Sequence, residues 1–185
     1  MPHRYYYRDQ AVSEKDCNEF IDKYKNAKFD EGLIGDPSSD KGLTKNIDYR
    51  KAKVHWLGNN DLLVRALWSY VLEMNQNFWQ LNLEGYQSVQ LTKYDDGCYY
   101  GWHKDELYNS DTIRKLSAVL QLSRPEDYIG CELQLFNGER EPEELPIKQQ
   151  GSLIMFKADE WHRVTKLTEG ARYSLVMWIT GPQLT

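Results

Sequence analysis

The stretch Ser88–Asp105, SVQLTKYDDGCYYGWHKD, reads as two short strands, Ser88–Tyr94 and Tyr99–Asp105, joined by an Asp96-Gly97 turn. Successive strand side chains point to opposite faces, so His103 and Asp105 share one side while Lys104 and Glu106 face the other. A histidine and a carboxylate on one face are two parts of a metal site. A third ligand has to come from elsewhere, because three on one strand would stand in a line. His162 supplies it.

Two imidazoles and one carboxylate hold ferrous iron on one face and leave its other positions open. The metal with this ligand set carries one positive charge, and a bound dicarboxylate co-substrate would make the site negative. Arg172 offsets that excess with a two-pronged hydrogen bond. By alternation Arg172, Ser174, Val176 and Trp178 share a face of the last strand. By composition odds roughly one chain in three of this size holds a His-x-Asp by accident, so the triplet needs its neighbours.

Working outward, the chain from Gln87 on alternates strands with turns. Strands are expected at Lys115–Leu122, Glu132–Phe136, Ser152–Phe156, Trp161–Thr165 and Tyr173–Thr180. Turns fall at Arg124–Asp127, Asn137-Gly138 and Glu169-Gly170. Upstream, Tyr5–Tyr7 and Tyr49–Trp56 read as strands. Ser13-Glu14-Lys15-Asp16 opens a helix carrying Cys17, Phe20, Ile21 and Tyr24. The clearest helix, Asn60–Trp79, carries a core stripe of Leu63, Leu67, Tyr70, Val71, Met74 and Phe78. Phe29–Asn46, rich in Gly, Ser, Asp and Lys, reads as a long lid loop. Helices followed by many strands predict a mostly β fold with supporting helices, a jelly-roll core. One domain is expected, with 1–85 as helical support and lid and 86–182 as the core.

Composition narrows the function. Thirteen tyrosines and six tryptophans in 185 residues suit a β-rich fold with an aromatic-lined groove. A net charge of −5 argues against a nucleic-acid partner. MPHRYYYRDQ at the start has no apolar run, and no stretch is long enough to span a membrane, so a cytoplasmic protein is expected. Three scattered cysteines, Cys17, Cys98 and Cys131, fit free thiols, with Cys131 packed in a strand. His55 reads as structural, and His3 is unassigned.

The segments Leu91–Gly97, Tyr100–Asp105, Arg114–Ser123, Tyr128–Leu133, Trp161–Thr165 and Gly170–Tyr173, in that order, resemble the iron(II)- and 2-oxoglutarate-dependent dioxygenases, specifically the prolyl 4-hydroxylase-like, PKHD-type group. The resemblance implies a double-stranded β-helix in which His103, Asp105 and His162 ligate iron and Arg172 binds the distal carboxylate of 2-oxoglutarate. It gives Tyr94 a contact with the co-substrate. Gln121 stands where close relatives place a tyrosine for the same carboxylate. Val119, Leu133, Val164, Val176 and Trp178 match pocket-lining positions, with barrel core as the alternative. Tyr100 is a candidate for substrate contact, provided the strand bends near Gly101.

The implied reaction turns 2-oxoglutarate and dioxygen into succinate, carbon dioxide and a hydroxylated substrate, with ascorbate as a reductant. Peptidyl proline, hydroxylated at C4, is the expected substrate. Peptidyl lysine, a free amino acid, and a non-catalytic jelly-roll binder are the alternatives. Nucleic-acid demethylases of the superfamily carry a second arginine where this chain has Trp178.

Overall fold

A computed structural model describes residues 4–35, 43–106, 108–109, 112–138 and 141–183. It contains two facing antiparallel sheets with two helices laid on the outer side of the larger one. The major sheet runs, edge to edge, through Tyr5–Arg8, Leu153–Lys157, Thr112–Gln121, Arg172–Pro182, Val89–Tyr94, Lys53–Leu57 and Asp30–Glu31. The minor sheet runs through Glu143–Glu144, Leu133–Leu135, His162–Val164, Tyr99–His103 and Arg50–Lys51. This is a double-stranded β-helix.

Alternation builds both cores. Leu116, Ala118 and Leu120, together with Leu175, Met177 and Ile179, face the helices and pack on Leu67, Val71 and Met74. The residues between them face the minor sheet, where Val119, Ile154 and Phe156 meet Leu133, Leu135 and Val164. The major sheet is therefore apolar on its outer face and mixed on its inner one, and the inner face is where polar residues can be used.

The helices hold this platform. Glu14–Tyr24 starts at Ser13, whose hydroxyl accepts the Asp16 N–H at 3.1 Å. Leu62–Phe78 starts at Asp61, which accepts the Leu63 N–H at 2.9 Å and pairs with Lys23 at 2.7 Å. Its buried stripe is Leu63, Val64, Leu67, Val71, Met74 and Asn75. Phe78, expected there, keeps the phase of the stripe but is 39% exposed, because it is the last residue of the helix, where its ring rests on Tyr6. Among the described residues no helix is long and apolar enough to cross a membrane.

Several expectations change. Tyr49–Trp56 is two strands: the chain leaves the minor sheet after Lys51 and joins the major sheet at Lys53. Phe29–Asn46 is not loop throughout, since Asp30–Glu31 extends the major sheet and Ile34–Gly35 pairs with Leu43–Thr44. The middle of that expected lid, 36–42, lies outside the described residues, as does His3. Glu169-Gly170, expected as a turn, ends a strand, Leu167–Gly170, paired with Tyr128–Gly130. Cys131 lies just beyond that pair at φ 60, not within a strand. His55 is structural: its Nδ1 meets the Lys28 carbonyl at 2.9 Å, between the rings of Tyr24 and Phe29.

Candidate active site

His103 and His162 stand directly opposite each other on neighbouring strands of the minor sheet, with ring centroids 4.0 Å apart. Asp105 comes from beyond the end of its strand, not from within it. Its backbone N–H donates to Ala158 O at 2.9 Å, and its carbonyl accepts from Arg114 Nη1 at 3.2 Å. These anchors, and not strand alternation, turn its carboxylate toward the imidazoles. Asp105 Oδ1 lies 3.7 Å from His103 Nε2, and Oδ2 lies 3.5 Å from His162 Nε2. One ligand atom from each of the three residues falls within 4.8 Å of the others, and all three are buried.

The donor chemistry fits a divalent transition metal. The two Nδ1 atoms are engaged by backbone carbonyls, His103 with Gly101 at 2.8 Å and His162 with Glu160 at 2.9 Å. A carbonyl can only accept, so each Nδ1 carries the proton and each Nε2 offers its lone pair to the site. Burial, and then the nearby His162, push the His103 pKa down to about 3, so the ring is neutral at physiological pH. Burial alone would raise Asp105. His162, His103 and the Ser117 hydroxyl, which donates to Oδ2 at 2.6 Å, hold it below the usual carboxylate range. Two imidazoles that turn Nε2 toward the site and an anionic carboxylate suit ferrous iron.

Arg172 opens the last strand of the major sheet and is almost fully buried. Its Nε donates to Gln121 Oε1 at 2.9 Å, and its guanidinium carbon lies 5.9 Å from the centre of the Tyr94 ring. Gln121 is thus not a wall of the cavity. Its amide nitrogen donates to Ser123 O at 3.0 Å and to the Tyr128 hydroxyl at 3.2 Å, leaving its oxygen to orient the arginine. Arg172, Ser174, Val176 and Trp178 line one cavity with the metal triad, Tyr94, Val119, Leu133 and Val164.

Tyr100 enters by a break in register. His162 pairs with His103 but Val164 pairs with Tyr100, so three residues of one strand oppose two partner steps across a bulge. The extra residue brings Tyr100 onto the same side as His103, where the two rings stack at 3.5 Å and 16°. Tyr49 holds the bend, accepting the Gly101 N–H at 2.8 Å through its carbonyl and donating its hydroxyl to Trp102 O.

The strand-by-strand reading did not single out Arg50, Gln90, Thr92 or Ser117. All but Ser117 line the cavity, and Ser117 reaches it through Asp105. The available signal was phase. Arg50 is in step with buried Ala52 and Val54, as Ser117 is with Val119.

A sequence profile of the 2OG-Fe(II) oxygenase superfamily matches residues 89–180. A PKHD-type hydroxylase of Prochlorococcus marinus is 31% identical over 156 residues, 81% of this chain and 67% of that protein. The chain belongs to the 2OG-Fe(II) oxygenase superfamily. A PKHD-type hydroxylase of Synechococcus sp. (strain JA-2-3B'a(2-13)) is 37% identical over 97 residues, 50% of this chain. That match spans 42% of the Synechococcus protein's length, so the chain spans under half of the curated relatives it matches first.

The fold of this chain is shared with solved structures of low sequence identity. A viral collagen prolyl hydroxylase from Paramecium Bursaria Chlorella virus-1 superposes with a TM-score of 0.72 at 18% identity, covering 97% of each chain. A Pseudomonas putida prolyl-4-hydroxylase gives 0.68 at 19%, covering 97% of this chain and 93% of that one. A prolyl hydroxylase from Trichoplax adhaerens, solved with a peptide fragment of hypoxia inducible factor, gives 0.75 at 16%, covering 95% and 83%.

Proposed function

We propose that this oxygenase is a peptidyl-prolyl 4-hydroxylase in which His103, Asp105 and His162 hold Fe(II) and Arg172 holds the distal carboxylate of 2-oxoglutarate. The observation that carries the reading is the convergence of those three ligand atoms within 4.8 Å in a cavity that Arg172 also lines. With iron, 2-oxoglutarate and dioxygen bound, the centre would yield succinate, carbon dioxide and a hydroxylated substrate, with ascorbate as a reductant.

The chain's own part is placement. Gly101 O and Glu160 O fix which imidazole nitrogens face the metal, and Ser117 fixes the carboxylate. Gln121 turns the Arg172 fork along the cavity, where two N–H groups can meet a carboxylate in parallel. Tyr94, buried with its pKa raised by that burial, stays protonated and can donate its hydroxyl to the co-substrate. Tyr100, Trp178, Val164 and Leu133 form the apolar wall on which the substrate ring rests. The proline assignment draws on the prolyl hydroxylases that share the fold, one of them solved with a peptide fragment. The three described cysteines are free and buried, which suits the reducing cytoplasm we assign it to.

The test is anaerobic loading with Fe(II) and 2-oxoglutarate, then oxygen with a panel of proline peptides. The expected result is one added oxygen atom by mass, matched by succinate. Succinate without oxygen gain on any peptide would remove proline as the target.

A further inference from the structure

Arg50 is the feature of the cavity that the proposed reaction does not use. Its side chain is 8% exposed and crosses from the minor sheet to the major one. Nη1 donates to Leu33 O at 2.7 Å, Nη2 donates to Gln90 Oε1 at 3.3 Å, and Nε has no acceptor among the described residues. Three of its five N–H groups are therefore without described protein partners. Among the described residues no carboxylate pairs with it within 4.0 Å. The guanidinium has two close neighbours. Its carbon stands over the Tyr100 ring, 4.5 Å from the ring centre. Gly32 comes so close that a Cβ there would sit 2.6 Å from Nε.

A buried cation without an anion is costly, and charge balance gives it no role in the metal site. Ferrous iron, Asp105, a dicarboxylate co-substrate and Arg172 already sum to neutrality, so Arg50 is a surplus positive charge. Arg50 also forms the wall between this cavity and a second one of about 220 Å³, lined by Lys45, Lys51, Lys53, Glu31 and Asp95. Lys45 pairs with Glu31, and Lys53 with Asp95 at 2.5 Å. Lys51 meets only the Asp96 carbonyl, at 3.2 Å, among the described residues. In a chain of net charge −5, this cleft keeps two uncompensated cations, Arg50 and Lys51. Such a site raises the local concentration of anions.

We propose that Arg50, approached past Lys51, is an anion subsite that takes a carboxylate carried by the substrate. Two sources supply that group: an acidic side chain beside the target residue, or a free C-terminus. The inference rests on the hydroxylase reading above and names the charge class of its substrate. Beside its ligand, the guanidinium also supports the Tyr100 ring stacked on His103, so a bound acid and the metal face share one wall.

The test uses matched peptides. One pair carries glutamate or glutamine beside a central proline; the other ends in proline as the free acid or the amide. Each is titrated anaerobically into protein loaded with Fe(II) and 2-oxoglutarate, with binding read from tryptophan fluorescence, since Trp178 lines the cavity and Trp56 packs on it. In at least one pair the acid should bind about 10- to 100-fold more tightly than its neutral twin, the range of a hydrogen-bonded charge. Whichever pair shows the difference identifies the source of the carboxylate.

Arg50→Gln should bring the ratio to within about twofold while 2-oxoglutarate affinity, titrated separately, stays within about threefold, because a glutamine keeps no charge for the acid. Gly32→Ala retains the charge but pushes the guanidinium off its seat, and should lower the same ratio. Equal binding of acid and neutral twins by the natural protein, which needs no variant, overturns the proposal. So does an Arg50→Gln protein that keeps the ratio or loses 2-oxoglutarate instead. Tight, acid-selective binding with no oxygen gained on any peptide keeps the anion subsite and rejects the prolyl reading. Equal oxygen gain on acid and neutral peptides does the reverse.

Discussion

Ser117→Ala isolates a single contact at the metal site. The hydroxyl is fully buried and donates to Asp105 Oδ2 at 2.6 Å, so no water stands ready to replace it. A hydrogen bond to a charged acceptor contributes about 1.5–3 kcal/mol. At about 1.4 kcal/mol per decade this is a tenfold to hundredfold effect. Loss of an outer-shell partner in known metal sites weakens affinity by about 10- to 100-fold, so the two estimates agree. The Trp178 indole N–H is buried near Asp105 but has no acceptor at hydrogen-bonding distance among the described residues, so it compensates little.

Ser117 pairs through its backbone with Phe156 and Trp178, and those ladders survive the change. The variant should therefore fold, bind Fe(II) or Mn(II) about 10- to 100-fold more weakly by anaerobic calorimetry, and recover most activity at saturating metal. An affinity within about twofold of the natural protein, with the fold intact by circular dichroism, would refute the idea that this hydroxyl sets the carboxylate.

Three other outcomes follow from the same structure. Arg172→Lys replaces a fork with a point charge and breaks the bond to Gln121 Oε1, so 2-oxoglutarate affinity should fall about 10- to 100-fold in an anaerobic titration while metal affinity holds. Asp61→Ala removes the cap of the long helix and should cost about 1–2 kcal/mol, seen as about 2–4 °C of Tm per kcal/mol. The Lys23 partner, the Leu63 N–H and the Tyr24 hydroxyl hold the Asp61 pKa below 3.8 against the opposing effect of burial. Its stabilisation is thus complete above pH 3.8 and is lost as pH falls through the lowered value, so the variant and the natural protein should converge in acid. Gly151→Ala should destabilise more than Asp61→Ala, because φ of +81° costs a residue with a side chain about 1–2 kcal/mol and its Cβ would lie 1.9 Å from Val12 O.

The long strands were legible because both faces are used. Leu116, Ala118 and Leu120 alternate with Ser117, Val119 and Gln121, and the period holds over these six residues, beyond the bulge at Arg114–Leu116. The triad was legible as residue types, though the reason given for Asp105 was not the one the fold uses: loop anchors, not alternation, aim it. Of the short strands, Leu133–Leu135 and His162–Val164 fell within expected ones, whereas Arg50–Lys51 and Tyr128–Gly130 were not legible as strands of their own, being too short to carry a period. Ala52, where the chain changes sheets, looks like any strand residue. Arg50 escaped because an arginine in a strand reads as solvated even in phase with buried neighbours, and the fold is what brings Gly32 and Tyr100 close to it. Gln121, expected beside the distal carboxylate, is seen to bind Arg172.

His103 and His162 belong to one sheet, while the hydroxyl that steadies Asp105 belongs to the other, and the two sheets share no ladder among the described residues. A chelated ion would therefore act as a rivet between layers otherwise held mainly by apolar packing. Stripping it should loosen one half of the barrel from the other, so amides of the minor sheet should exchange faster as a group, long before the helix-backed sheet does.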